Sequence, residues 1–191
     1  MSLLLKPEGR PFPIDSFPIN AAVAIAKTMI LGWRIRAGVR WPNDVVMGGR
    51  KIAGVLVESK SKGNELTYAT IGMGINANVD TSQVKSIRES STSVSSILNA
   101  PIDRVELIVA VLSNLEATYE SIQASDERAA LDLLAELDCS RGRQVRVRTV
   151  DSELRGSFDS YESLAKARIR TGGGIRLVDT NTAVSVDYES N

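Results

Sequence analysis

Arg40-Trp41-Pro42-Asn43-Asp44-Val45-Val46-Met47-Gly48-Gly49-Arg50-Lys51-Ile52-Ala53-Gly54-Val55-Leu56-Val57-Glu58 is the stretch around which the rest of the chain organises itself. Pro42 disfavours the α region for Trp41, so Gly38 to Trp41 reads as extended. Val45-Val46-Met47 runs into Gly48-Gly49, a pair suited to the positive φ angles of a tight hairpin turn. The return strand, Lys51 to Glu58, carries mostly apolar residues, as a well-covered strand should. Asn43 and Asp44 therefore emerge at the end of an extended segment, with Lys51 across the turn. An Asn side chain reads an amide edge through paired donor and acceptor atoms, and a carboxylate can hold Mg2+ or orient an amine. A lysine flanked by Ile52 and Ala53 can project into a low-dielectric pocket, where its charge attracts a carboxylate or phosphate strongly. A plainer reading stays open, because Asn-Asp before a hairpin and Lys beside Gly-Gly are also ordinary turn chemistry. Gly54 is harder to dismiss. Inside an apolar strand a glycine weakens the strand unless something needs close approach to the backbone.

Outward from this hairpin, Ser2 to Lys6 reads as a short strand and residues 7–18 as turn-rich. Apolar positions from Asn20 to Ile30 fall at helical spacing, with Gly32 placed to end the helix. A turn at Ser61 to Asn64 leads to an extended run from Glu65 to Asn78, and residues 80–93 read as a polar surface loop. Asp103 and Glu106 form a capping-box pattern. Val105, Leu107, Ile108, Val109, Val111, Leu112, Leu115, Tyr119 and Ile122 supply the core face of the helix that follows. A further helix spans about Asp126 to Asp138. Beyond Ser140 the texture changes to period-two alternation in Gln144 to Arg148, Ala167 to Arg170 and Ala183 to Asp187. The expected fold class is α+β, a mixed sheet packed by helices over residues 1–140, with a small β-barrel over residues 141–191.

Composition narrows the chemistry. The 191 residues hold 23 Lys+Arg against 23 Asp+Glu, so bulk charge predicts no nucleic-acid or membrane partner. The barrel segment carries nine basic and seven acidic residues, too small an excess to mark a nucleic-acid module. No apolar run approaches the ~20 residues that span a bilayer. Histidine is absent, which removes Ser-His triads and His-based metal sites. Cys139 is the sole cysteine, so an intrachain disulfide is impossible and a reducing cytoplasm is the natural setting. Chemistry here falls to Lys, Arg, Asp, Glu, Asn and backbone amides.

A second constellation is Ile71-Gly72-Met73-Gly74-Ile75-Asn76-Ala77-Asn78. Gly72-x-Gly74-x-x-Ala77 formally matches a dinucleotide-binding fingerprint, but a polar loop follows where a helix should open. The better reading is a pair of glycines that let a flat ligand lie against the strand, with Asn76 at the rim; glycines at a bulge are the alternative.

Taken together, Trp41-Pro42-Asn43-Asp44, Arg50-Lys51-Ile52-Ala53-Gly54-Val55-Leu56-Val57-Glu58 and Ile71-Gly72-Met73-Gly74-Ile75-Asn76 resemble the central motifs of biotin protein ligases. The resemblance runs from the Ser2 strand to the β-rich tail. It implies a class II aminoacyl-tRNA-synthetase-like catalytic core followed by an SH3-like barrel. It further implies that biotin and ATP, assisted by Mg2+, form biotinyl-AMP, from which biotin passes to a lysine on a carboxylase carrier domain. Carried over by position, Lys51 and Asp44 are the catalytic pair. Lys51, Gly54, Val55, Leu56 and Gly72 line the biotin slot, Arg40, Asn43 and Asn76 lie toward the adenylate, and no protein metal ligand is assigned. Arg40 stands where the family usually has lysine, a change of donor geometry. The family's Arg/Gly-rich loop and its biotin-head segment lie upstream of the Ser-Leu strand at which this sequence starts. The expectation is thus an N-terminally incomplete domain and impaired ligation. Lipoate ligase and a non-catalytic biotin- or carrier-binding relative are the alternatives. A homodimer through a sheet edge stays open.

Overall fold

The computed structural model describes residues 1–6, 14–62, 65–123 and 127–189. Residues 7–13 of the stretch read as turn-rich, Gly63 and Asn64 of the predicted second turn, Asp126 at the start of the predicted last helix, and the side chain of Ile122 lie outside that description.

Five strands form the first sheet: β1 (Ser2–Leu5), β2 (Gly38–Arg40), β3 (Asp44–Met47), β4 (Arg50–Lys62) and β5 (Glu65–Ile75). Their order is β1-β5-β4-β3-β2, and every pair is antiparallel. Gly48 and Gly49 turn the β3–β4 hairpin with φ of 55° and 77°, the left-handed pair the sequence predicts. On β5, Ala69, Ile71 and Met73 are buried, so Gly72 and Gly74 fall on the opposite face.

Helix α1 (Phe17–Trp33) lies against the buried face of this sheet. It begins before Asn20, with Pro18 in the first turn, where a missing N–H costs little. Gly32 does not end it. Arg34 does, in the left-handed region at φ 53°, while the amides of Arg34 and Ile35 close on the carbonyls of Ile30 and Met29. The stretch Ile14–Trp33 is long and apolar enough to cross a bilayer by composition, which corrects the sequence reading, but 72% of it is buried inside the protein. A helix that is apolar on nearly every side is what a central core position needs.

Helix α2 (Val94–Leu98) is capped by Ser93, and α3 (Arg104–Gln123) packs across α1. The Asp103 carboxylate accepts the amides of Val105 and Glu106 at 2.7 and 3.4 Å, so the Asp103 half of the predicted capping box forms. The core face of α3 is narrower than predicted. Leu107, Val111 and Leu115 are buried, whereas Val105, Ile108 and Val109 are exposed, because α1 covers one flank only. Helix α4 (Glu127–Leu137) completes the layer.

The second sheet comprises β6 (Gln144–Arg148), β7 (Glu153–Ser163), β8 (Lys166–Thr171), β9 (Gly174–Asp179) and β10 (Ser185–Tyr188), in the order β10-β6-β7-β8-β9. The predicted barrel does not close, since β9 and β10 remain the two edges. The second sheet instead packs on its neighbours: Phe158 lies against Trp41 at 6.0 Å between ring centroids, and α4 packs on β7. One hydrophobic core therefore runs through both sheets. Strand β7 escapes a period-two reading because its pairing with β8 shifts register between Phe158 and Ser160 and again between Tyr161 and Ser163.

Asp138 sits at the passage between the sheets, its Oδ1 accepting the Ser140 amide at 2.7 Å. Burial raises its carboxyl above the ordinary value of 3.8. A raised folded-state value means that stability is lost as pH rises through it and is regained below the unfolded value. Asp138→Asn keeps the acceptor and removes that cost. Its melting temperature should exceed the wild type's at pH 7, with the gap closing as pH falls toward 3.8. A gap that widens on acidification would contradict the burial argument.

Candidate active site

The face of the first sheet turned away from α1 carries a row of residues in direct cross-strand register. Arg40 on β2 pairs Asp44 on β3, Asp44 pairs Gly54 on β4, and Gly54 pairs Gly74 on β5. Leu56 pairs Gly72 one step along. The floor at this place is therefore bare backbone, and an open cleft of about 540 Å³ lies over it. Met1, Asn43, Lys51, Gly54, Val55, Leu56, Gly72, Met73 and Gly74 line the cleft.

Lys51 reaches this face through an irregularity in the strand. Residues three apart on a regular strand point to opposite sides, so Lys51 and Gly54 should not meet. Val45 pairs Ala53 and Val46 pairs Lys51, which leaves Ile52 as an extra residue on β4. This bulge buries both Ile52 and Ala53 and resets the alternation, re-aiming Lys51 over Gly54. The Lys51 amine ion-pairs with Asp44 Oδ1. A Cβ built on Gly54 would stand 2.8 Å from both Lys51 Cε and Nζ, so the glycine leaves the lysine its place.

The backbone of Lys51 is clamped from the other side. Its amide donates to the Ser90 carbonyl at 2.7 Å, and its carbonyl accepts the Thr92 amide at 2.9 Å. The stretch read as a polar surface loop thus ends in a buried run, Ser91 to Ser93, bridged to the start of β4. Asn43 holds β4 as well, its side-chain amide donating to the Val55 carbonyl at 2.7 Å and its own carbonyl accepting the Val55 amide at 3.0 Å.

Of the residues singled out from the sequence, Asn43, Lys51, Gly54, Val55, Leu56 and Gly72 meet on the cleft, and Arg40, Asp44 and Asn76 stand behind it. Arg40 donates to Asp44 Oδ2 at 2.9 Å and to the Gly49 carbonyl at 3.3 Å. Asn76 donates its amide to the Thr92 carbonyl at 3.0 Å, bracing the Lys51 clamp rather than lining the cleft. Gly74, the second glycine of the pair read as a platform for a flat ligand, lines the cleft as well, and Met73 joins the lining without having been singled out. Mg2+ finds no protein cage: among the described residues no group of three or more His, Cys, Asp or Glu is placed to hold a metal. Asp44, the carboxylate nearest Lys51, already has each oxygen on a cation.

Residues 1–76 match the Biotin/lipoate A/B protein ligase family. The bifunctional ligase/repressor BirA of Bacillus subtilis is 27% identical over 195 residues, covering 100% of this chain and 56% of that protein. The biotin–[acetyl-CoA-carboxylase] ligase of Paracoccus denitrificans is 34% identical over 77 residues, 39% of this chain and 32% of that protein. The chain spans about half the length of the bifunctional relatives it matches. Biotin protein ligase from Aquifex aeolicus, solved in complex with biotin and ATP, shares the fold with a TM-score of 0.84 at 21% identity, over 98% of this chain and 77% of that one. The cleft motifs thus lie at or within the stretch that matches the Biotin/lipoate A/B protein ligase family, the similarity to BirA runs from end to end of the chain, and the fold is that of a biotin protein ligase.

Proposed function

We propose that the cleft over Gly54 and Gly74 is the place where biotin is activated by ATP, and that the product biotinyl-AMP then acylates a lysine of a carboxylase carrier domain. In the first step a biotin carboxylate oxygen bonds to the α-phosphorus while the bond to pyrophosphate breaks. In the second the acceptor amine bonds to the acyl carbon, AMP leaves, and the amine loses a proton. Both reactants of the first step are anions, so fixed positive charge at their meeting point is the main requirement. Lys51 supplies it from the cleft floor. The bare-backbone floor at Gly54, Gly72 and Gly74, with the exposed Leu56 beside it, suits a flat, largely apolar body, and the cleft volume falls in the range of small-molecule sites. Mg2+, when present, neutralises nucleotide phosphates; the residues here give it no seat of their own, and no step is assigned to it. The cytoplasm, where ATP is at hand, is the setting that goes with this reading.

The observation that carries this reading is the Lys51 amine lying over Gly54 in a backbone-floored cleft. Titration calorimetry of the chain with biotinyl-AMP, and in parallel with lipoyl-AMP, tests it. Saturable binding of the biotinyl compound, weaker for the lipoyl one, is the expected result. Preference for lipoyl-AMP would transfer the chain to the lipoate branch, and no heat with either would refute the assignment.

A further inference from the structure

Arg40, on β2 behind the cleft, touches both sheets. Its guanidinium carbon lies 5.3 Å from the ring centroid of Tyr188, the last residue of β10. A guanidinium can lie flat on a ring while its in-plane N–H groups still point outward, which a lysine ammonium cannot imitate. Those groups reach Asp44 Oδ2 and the Gly49 carbonyl. Asp44 in turn offers its other oxygen to Lys51. Tyr188 is itself pinned, its hydroxyl donating to the Trp41 carbonyl at 2.7 Å and lying 3.1 Å from Ser140 Oγ. Burial pushes its phenol well above the usual tyrosine range, so the hydroxyl stays a donor.

We propose that Tyr188 is a positioning residue for Lys51: its ring seats Arg40, Arg40 fixes the rotation of the Asp44 carboxylate, and Asp44 holds the amine over Gly54. A side chain of the second sheet thereby sets the aim of the reactive cation in the first. The meaning of this relay rests on the ligase reading, but the geometry can be tested without any ligand.

The test is the rate at which Lys51 is acetylated by limiting N-acetoxysuccinimide, read by peptide mass spectrometry against the exposed Lys85 in the same sample. Tyr188→Leu releases the relay and should raise relative labelling of Lys51 about threefold, while Tyr188→Phe keeps the ring and should stay near wild type. Asp44→Asn should raise labelling as much, and Tyr188→Leu placed on top of it should add nothing. A purely structural role for Tyr188 would instead multiply the two effects. Arg40→Lys leaves the ring in place and loses the fork, so it should behave like Tyr188→Leu and serves if the leucine variant does not fold. Unchanged Lys51 labelling in the folded Tyr188→Leu or Arg40→Lys protein, or independent effects in the double variant, overturns the proposal. Neither result depends on biotinyl-AMP binding, so the ligase reading stands or falls separately.

Discussion

Lys51→Met should lower the rate of biotinyl-AMP formation, followed as biotin-dependent exchange of pyrophosphate into ATP, by a factor on the order of 10²–10³. The magnitude is that of removing one preorganised charge from a site where negative charge gathers. Methionine keeps most of the stem volume, so the fold should be unaffected: the Lys51 side chain is partly exposed, with relative accessibility of 40%. The companion variant Gly54→Ala separates charge from position. Its Cβ meets the far end of the flexible Lys51 side chain, which can move aside, and lies 3.4 Å from Asp44 Oδ1, near ordinary contact, so the cost in stability is small. The amine would survive in Gly54→Ala but be displaced from the floor, so exchange should fall while thermal unfolding stays close to wild type. Full exchange activity in both variants would remove Lys51 from the chemistry. A loss in Lys51→Met alone would mean that charge matters here and its placement over Gly54 does not.

Trp41→Ala should be the most damaging substitution for stability. Trp41 is fully buried, stacks toward Phe158, and donates its indole N–H to Thr180 Oγ1 at 3.2 Å. Its backbone amide donates to Ser140 Oγ at 2.8 Å, and its carbonyl receives the Tyr188 hydroxyl. The side chain therefore fills the seam where the first sheet meets the second. Truncating a buried aromatic to alanine costs about 3–5 kcal/mol, a large part of the ~5–15 kcal/mol that holds a domain folded. Urea unfolding followed by far-UV circular dichroism measures it. A loss below ~1 kcal/mol would show that the seam contributes little. Separate transitions for the two sheets in the variant would show that Trp41 is what makes them unfold together.

Much of this was legible in the residues. Gly48-Gly49 between two apolar runs can hardly be anything but a tight hairpin, because few other residues tolerate positive φ at both positions. The motifs around Lys51 and Gly72 were recognisable because they are short, ordered and local. The narrower core face of α3, the open second sheet and the buried end of the 80–93 segment were not legible, since each depends on what happens to pack against it. Val105 and Val111 look alike in sequence, and only the position of α1 separates the exposed one from the buried one.

By itself the sequence determined the hairpin, the glycine positions and the family motifs, all properties of neighbouring residues and their backbone preferences. Only the tertiary structure decided that Lys51 shares a face with Gly54, because strand alternation predicts the opposite and a single extra residue, Ile52, reverses it. It also decided that Gly54 lies across from Gly74, and that Arg40, Asp44 and Tyr188 stand behind the lysine. Register across strands and contact between sheets are set by burial summed over the whole core, and no local stretch of residues contains that sum.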